Sequence, residues 1–115
     1  MKRIMLVEDD LTTLRSLALL FVNDYAVEEY SNAEEALKKL REDSYDLIIA
    51  DLFLNEITGL DLYEMAKDKS RFIIITGYPE KELALRAKTM LGDRFIPKSS
   101  PPEVLKSKIA EILGE

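Results

Sequence analysis

The feature that most constrains this chain is a regular alternation of short apolar runs with helix-like patterns, repeated five times. Short runs rich in aliphatic residues predict strands, whereas apolar residues three or four positions apart predict helices. The predicted strands cover residues 3–7, 25–30, 46–50, 71–75 and 93–97. Alternation of this kind predicts a parallel sheet with helices on both of its faces.

The first three predicted helices follow the first three strands. One covers residues 11–23, where Leu11, Leu14 and Phe21 recur at helical spacing. The next opens with Ser31 as its N-cap, because Glu34 three residues later completes a capping box. The third opens at Thr58 and runs to about residue 67.

The last two predicted helices have start signals that contain proline. The fourth opens at residues 79–80, and its predicted inner face comprises Leu83, Ala84, Ala87 and Met90. Ser100 is the predicted N-cap of the fifth helix, with Pro101 at its first position. The predicted buried face of this helix comprises Leu105, Ile109 and Ile112.

The polarity of the strands predicts their order. The second strand has mixed polarity and the fifth ends in Pro97, so both belong at sheet edges. We therefore expect an α/β fold: a (βα)₅ flavodoxin-like three-layer sandwich whose five-stranded parallel sheet has the order 2-1-3-4-5. A chain of 115 residues corresponds to one domain, spanning residues 1–115.

Composition excludes several kinds of chemistry and of partner. The chain has no cysteine and no histidine, so thiolate metal sites and imidazole catalysis are impossible. Its net charge of −6 argues against direct binding of nucleic acid. No run has the length of a signal peptide or a membrane span, so we expect a cytoplasmic protein without membrane insertion.

Polar side chains follow four of the predicted strands, at the points where those strands end. These side chains are Glu8, Asp9 and Asp10 after the first strand, Asp51 after the third, Thr76 after the fourth and Lys98 after the fifth. The carboxyl ends of parallel strands meet at one edge of the sheet, which is where α/β proteins bind ligands. The sequence therefore predicts one crevice that contains carboxylates, a hydroxyl and an ammonium group.

Clustered carboxylates repel one another, and a hard divalent cation such as Mg²⁺ relieves the repulsion. With Mg²⁺ present, Asp51 becomes an oxygen nucleophile suited to phosphorus. Lys98 and Thr76 then stabilise the charge on the transferred phosphoryl oxygens. Each residue also has a structural interpretation, since acidic residues favour helix N-termini and lone polar residues often terminate strands. Asp46 precedes its strand, so we interpret it as structural.

The chain resembles the receiver domains of two-component response regulators over essentially its whole length. The segments that carry the resemblance are IMLVEDD, DLIIADLFLNEITGLDL, IIITGY and RFIPKS. The resemblance implies phosphorylation of Asp51, with Mg²⁺ bound by Glu8, Asp9, Asp51 and the backbone carbonyl of Phe53. It further implies that Thr76 and Phe95 form a switch, and it leaves Asp10 at a variable position.

The resemblance also implies partners. These are a sensor histidine kinase or phosphotransfer protein that donates the phosphoryl group, and an unknown downstream protein target that binds the face made by the fourth helix and the fifth strand. Leu85 lies off the predicted inner face of the fourth helix, so it is a candidate contact. The protein is expected to be a monomer or a phosphorylation-dependent dimer. Receivers commonly have proline after the conserved lysine, and here Ser99 replaces it, so we expect a trans Lys98–Ser99 peptide bond.

Three other classes of protein are alternatives to a receiver domain. A phosphatase of the haloacid-dehalogenase type requires a second aspartate two residues after its nucleophilic aspartate. If Asp51 were that nucleophile, the second position would be Phe53, which is not an acid. A flavodoxin wants a hydroxyl-rich phosphate cradle, whereas the first loop here is acidic. A pseudo-receiver, an interaction module that works without phosphorylation, stays open as the alternative, although every reactive group is present.

Overall fold

The computed structural model describes all residues from 1 to 115 and contains one five-stranded parallel sheet. The strands are β1 (Arg3–Val7), β2 (Ala26–Tyr30), β3 (Leu47–Asp51), β4 (Phe72–Thr76) and β5 (Phe95–Pro97). Their order is β2-β1-β3-β4-β5, so the two strands of lower hydrophobicity lie at the edges as predicted. Four strands lie within one residue of their predicted bounds. The fifth begins two residues late, because Asp93 and Arg94 belong to a 3₁₀ turn.

Five helices connect and follow the strands. They are α1 (Leu11–Leu19), α2 (Ala33–Glu42), α3 (Gly59–Met65), α4 (Glu82–Leu91) and α5 (Pro102–Leu113). None of them combines the length and the apolar character needed to cross a lipid bilayer.

The sheet separates two apolar cores. The core on one face packs side chains of β3 and β4, such as Ile48 and Ile74, against α2, α3 and α4. The core on the other face packs Ile49 and Ile73 against α1 and α5. Every residue of β3 and β4 is buried, as expected for strands covered on both faces. The predicted three-layer sandwich is therefore confirmed.

The first helix is shorter than predicted. It ends at Leu19, and the chain continues through tight turns in which the amides of Leu20 and Phe21 donate to carbonyls three residues earlier. Phe21 is still buried, so it extends the apolar periodicity beyond the helix itself. The third helix likewise stops at Met65, two residues before its predicted end.

Three predicted helix starts need correction. The N-cap of α2 is Asn32 rather than Ser31, and its side-chain oxygen accepts from the amides of the next two glutamates. The fourth helix begins at Glu82, because the preceding residues form a turn in which the amide of Lys81 donates to the carbonyl of Tyr78. The fifth helix has Pro101 rather than Ser100 at its N-cap.

Two predicted inner-face residues were displaced by one position. Met90 is exposed and Leu91 is buried instead at the end of α4. Likewise Leu113, rather than Ile112, is the buried residue at the end of α5. The third helix begins as predicted, with a capping box between Thr58 and Asp61.

At the amino ends of the strands, charged groups are paired with one another. The Asp46 carboxylate accepts from the amide of Arg3 at 2.7 Å, in agreement with its predicted structural role. The Arg3 guanidinium donates to Glu28 and Asp43, and it lies 4.5 Å from the centre of the Tyr45 ring. This network ties β1, β2 and the segment before β3 together at the edge of the sheet opposite the predicted crevice.

Gly59 brings the start of α3 directly against the end of β3. Its amide donates to the Leu52 carbonyl at 2.9 Å. A Cβ atom at residue 59 would lie 2.5 Å from the backbone oxygen of Asp51, which is closer than real Cβ contacts allow. Only glycine therefore permits this approach.

Candidate functional site

The carboxyl ends of the strands surround a crevice of about 370 Å³. Its lining comprises Glu8, Asp9, Asp10, Thr13, Asp51, Phe53, Gly77, Tyr78 and Lys98. Six of the seven residues that were assigned to the site from the sequence, counting Asp10, therefore meet here. Thr76 is the exception.

Asp51 is the last residue of β3 and is almost completely buried. One of its carboxylate oxygens lies 3.1 Å from the ammonium nitrogen of Lys98, which follows the edge strand β5. Lys98 also donates a short hydrogen bond to Oε1 of Glu8. The single cation of the crevice thus bridges a carboxylate from the end of β1 and a carboxylate from the end of β3.

The pKa values of this bridge reflect burial and charge together. Burial alone would lower the pKa of Lys98, but the hydrogen bond to Glu8 and the charge of Asp51 outweigh it and raise the pKa above its ordinary value. Burial raises the pKa of Glu8 to about 7, and the neighbouring Asp51 carboxylate adds to this shift. Lys98 opposes the shift of Glu8 without cancelling it.

Three carboxylates are close enough to share one cation. Glu8, Asp9 and Asp51 each offer one oxygen, and these oxygens all lie within 4.8 Å of one another. Glu8 is buried, yet its Oε2 atom has no hydrogen-bond partner. A buried carboxylate oxygen without a partner is costly. A cation or a cation-bound water beside Oε2 would remove that cost, so the donor set fits a hard divalent ion such as Mg²⁺.

Asp10 has a structural role that the sequence left open. It is the N-cap of α1, and its Oδ2 atom accepts from the Thr13 hydroxyl at 2.5 Å and from the Thr13 amide at 2.9 Å. These hydrogen bonds hold the pKa of Asp10 below its usual range. Thr13 reaches the crevice wall through this cap, and no sequence motif indicated it.

The structure does not place the Thr76 hydroxyl on the crevice wall. Thr76 is fully buried at the end of β4, and its Oγ1 accepts from the amide of Tyr78 at 3.0 Å. Phe95, the predicted aromatic partner in a switch, is buried in the core beneath α4. The Lys98–Ser99 peptide bond is trans as predicted, since the chain contains no cis peptide bond.

Two aromatic rings form the rim of the crevice. Phe53 and Tyr78 both line it, with ring centres 6.0 Å apart and planes at 77°, an edge-to-face arrangement. Phe53 also forms an isolated antiparallel bridge with Thr58, which fixes the backbone just after β3. Lys81 lies outside the crevice but stacks on both rings. Sequence reasoning missed Lys81, because no motif marks a lysine at this position.

A family model described as the response regulator receiver domain matches residues 4–110 of the chain. The chemotaxis protein CheY1 of Helicobacter pylori is 31% identical over 119 residues, which cover 96% of this chain and 96% of CheY1. The transcriptional regulatory protein FlgR of the same organism is 32% identical over 93% of this chain, but over 28% of FlgR.

The chain spans 28–52% of the length of FlgR and of the Bacillus subtilis regulators ResD and YdfI. These longer relatives are named as transcriptional regulatory proteins. CheY1 shows that a relative of similar length also exists.

Solved structures agree with the sequence matches. A CheY-like receiver domain protein of Methanospirillum hungatei superposes with a TM-score of 0.86 and 30% identity, covering 99% of this chain and 94% of that one. The response regulator TrrA of Thermotoga maritima, solved in complex with Mg²⁺ and BeF, has a TM-score of 0.78 and 33% identity. That match covers 98% of this chain and all of TrrA.

Proposed function

Because the chain belongs to the response regulator receiver family, we propose that it accepts a phosphoryl group on Asp51 in a Mg²⁺-dependent reaction and changes its protein-binding surface in response. The phosphoryl donor is a histidine kinase or a phosphotransfer protein. The receiver spans residues 1–115, acts in the cytoplasm and catalyses only its own phosphorylation and dephosphorylation.

The observation that carries this proposal is the environment of the Asp51 carboxylate. It is held at the end of a fully buried strand, 3.1 Å from Lys98 and within 4.8 Å of the ligand oxygens of Glu8 and Asp9. The opening of the crevice leaves this carboxylate accessible to a phosphoryl donor. Glu8 forms the other ion pair with Lys98, but among the carboxylates of the crevice Asp51 alone is itself the last residue of a strand, at the end of β3 in the centre of the sheet.

Phosphoryl transfer then follows from these contacts. An Asp51 oxygen forms a bond to phosphorus while the bond from phosphorus to the donor nitrogen or oxygen breaks, and the donor atom takes a proton from water. Lys98 stays close enough to hydrogen-bond a phosphoryl oxygen as its contact with Asp51 is replaced. Positioning and electrostatic stabilisation are the main protein contributions to such a step.

The metal would be held by Asp9, Asp51 and the Phe53 carbonyl, with the unpartnered Oε2 of Glu8 binding a metal-bound water. When bound, Mg²⁺ supplies positive charge that offsets the phosphoryl oxygens and the clustered carboxylates. Glu8 would keep Oε1 on Lys98, so its two oxygens would have separate roles.

The response is proposed to act through α4 and β5. The Thr76 hydroxyl leaves the Tyr78 amide and turns to the phosphoryl group, and Phe95 fills the space behind it. The exposed Leu85 on α4 is then available to a downstream protein target, or to a second copy in a phosphorylation-dependent dimer. Neither nucleic acid nor membrane is a proposed direct partner.

The test is incubation of the purified protein with a small-molecule phosphodonor and Mg²⁺, followed by measurement of acid-labile phosphate. The parent protein should be phosphorylated, and Asp51→Asn should not be. Asp24→Asn, at an exposed aspartate outside the crevice, is the matched control and should be phosphorylated like the parent. Phosphate uptake by Asp51→Asn would contradict the assignment.

The same experiment decides the pseudo-receiver alternative, in which the parent protein takes up no phosphate at all. Amide spectra over residues 76–98 test the proposed response. Phosphorylation should shift the resonances in this range, and identical spectra before and after phosphorylation would contradict the switch.

A further inference from the structure

Three side chains from two loops meet at the rim of the crevice. The ammonium nitrogen of Lys81 lies 4.7 Å from the centre of the Tyr78 ring and 5.3 Å from the centre of the Phe53 ring. The two rings themselves are in edge-to-face contact, with centres 6.0 Å apart. These distances lie within the range of cation–π attraction and of aromatic pairing. We call Phe53, Tyr78 and Lys81 the rim cluster.

The rim cluster joins the segment after β3 to the segment after β4. Phe53 stands two residues after Asp51, whereas Tyr78 and Lys81 belong to the turn between β4 and α4. The Lys81 amide donates to the Tyr78 carbonyl at 3.2 Å, and the Tyr78 amide donates to the Thr76 hydroxyl at 3.0 Å. Tyr78 is therefore fixed by its backbone on one side and by the Lys81 side chain on the other.

Neither an ion pair nor helix capping explains the position of Lys81. It is the residue that immediately precedes α4, where the positive end of the helix dipole disfavours a cation. Its side chain makes no capping hydrogen bond and no ion pair. Its contacts with the two rings are the interactions that remain.

We propose that Lys81 is a positioning residue that holds the Phe53 and Tyr78 rings together across the mouth of the crevice and thereby slows hydrolysis of phosphorylated Asp51. Both rings line the crevice, and Lys81 contacts them from outside. This inference rests on the proposed function, because it concerns the lifetime of a phosphoryl group on Asp51.

Hydrolysis defines what the rim cluster must prevent. The oxygen of a water molecule forms a bond to phosphorus while the bond from phosphorus to the Asp51 oxygen breaks, which releases the Asp51 carboxylate, inorganic phosphate and the protons of the water. The attacking water must lie in line with the breaking bond. Rings held together at the mouth offer such a water few hydrogen-bond partners that could orient it for attack.

The test compares the phosphoryl lifetimes of four purified proteins: the parent, Lys81→Met, Lys81→Arg and Lys88→Met. Methionine keeps much of the length of the side chain but removes its charge, whereas arginine keeps a cation that stacks on aromatic rings. Lys88 is an exposed lysine on α4, the helix that Lys81 precedes, and it stacks on no ring, so it is the matched control. We expect about a threefold shorter lifetime for Lys81→Met, and lifetimes close to the parent for the other two variants.

A second measurement on the unphosphorylated protein reports the contact directly. The Lys81 Hε protons should be shifted upfield by the rings and should show nuclear Overhauser effects to Phe53 and Tyr78 protons. Absence of both signals would overturn the inference. The inference would also be overturned if Lys81→Met were phosphorylated normally and kept its phosphate as long as the parent does. That result would leave the proposed function intact. Absence of phosphate uptake in the parent would overturn both.

Discussion

Charged groups are paired differently at the amino ends of the strands, here the amino edge, and at their carboxyl ends, the carboxyl edge. At the amino edge, Arg3 satisfies Glu28 and Asp43 with its side chain and Asp46 with its amide. At the carboxyl edge, one ammonium group faces several carboxylates, and a buried oxygen of Glu8 has no partner. The same sheet thus ends in a closed network on one side and in an unbalanced cluster on the other.

Unpaired buried polar atoms distinguish a ligand-binding site from a cluster of charges that only stabilises the fold. Polar groups buried in folded proteins are almost always paired, so the amino edge follows the general rule and needs no ligand. The carboxyl edge violates the rule at a buried oxygen of Glu8, a residue that lines the crevice. Such a departure indicates that a binding partner completes the arrangement.

Removal of divalent ions should separate the two edges most sharply. We expect excess chelator to abolish phosphate uptake from a small-molecule donor, because the carboxylates of the crevice then lack their counter-charge. The amino edge has no use for a metal, and the far-ultraviolet circular dichroism of the protein should stay unchanged. Phosphorylation at the full rate in excess chelator would show that the unbalanced cluster does not bind a functional cation.

Replacement of the two rim rings should change the phosphoryl lifetime. We expect Phe53→Asn combined with Tyr78→Glu to shorten it by about tenfold, because amide and carboxylate groups orient an attacking water, whereas the rings offer it few hydrogen-bond partners. The parent should retain its phosphate for minutes to hours rather than seconds. Loss of phosphate no faster in the double variant than in the parent would contradict a shielding role.

The pH dependence of stability should reveal the buried Glu8 in metal-free protein. Its pKa is raised to about 7 in the folded state, so its contribution is fully present below its unfolded pKa and is lost as pH rises through about 7. Relative to Glu8→Gln, the parent should lose on the order of 2 kcal/mol of unfolding free energy between pH 4.5 and pH 7.5. Urea denaturation at both pH values measures it, and a constant difference between the two proteins would contradict the prediction.

The smallest effect is expected at the amino edge. Asp46→Ala removes the acceptor of the Arg3 amide and should lower the free energy of unfolding by about 1 kcal/mol. Phosphate uptake should stay at the parental level, because Asp46 lies at the opposite edge from Asp51. If this variant were folded but not phosphorylated, the claim that the amino edge has a purely structural role would be wrong.

The strand order and the residues that line the crevice were predictable because they depend on patterns that are visible in the linear sequence. The apolar runs located the strands, the polarity of the second and fifth strands located the edges, and the strand ends located Asp51 and Lys98. Helix ends were less predictable. Phe21 is buried although it lies in a turn beyond the end of α1, so its burial did not mark the end of that helix. Asn32 and Ser31 are both suitable N-caps for α2, and the sequence alone does not decide between them.

The directions of side chains were not predictable at all. The sequence placed Thr76 at a strand end, but its hydroxyl accepts from the Tyr78 amide and lies off the crevice wall. The contacts of Lys81 depend on the turn that precedes α4. The sequence pattern predicted helix for this turn. Both features depend on loop conformation, which hydrophobic periodicity does not encode.

The close approach of Gly59 to Asp51 has a consequence for how this chain tolerates mutation. A methyl group at residue 59 would press on the carbonyl oxygen of the residue whose side chain is the proposed phosphoryl acceptor. The backbone of that acceptor would have to move to make room, and the proposed metal ligands around it would move with it. Position 59, which contributes no reactive group of its own, is therefore as intolerant of substitution as the acceptor itself, and a map of permitted substitutions should show the two positions as a pair.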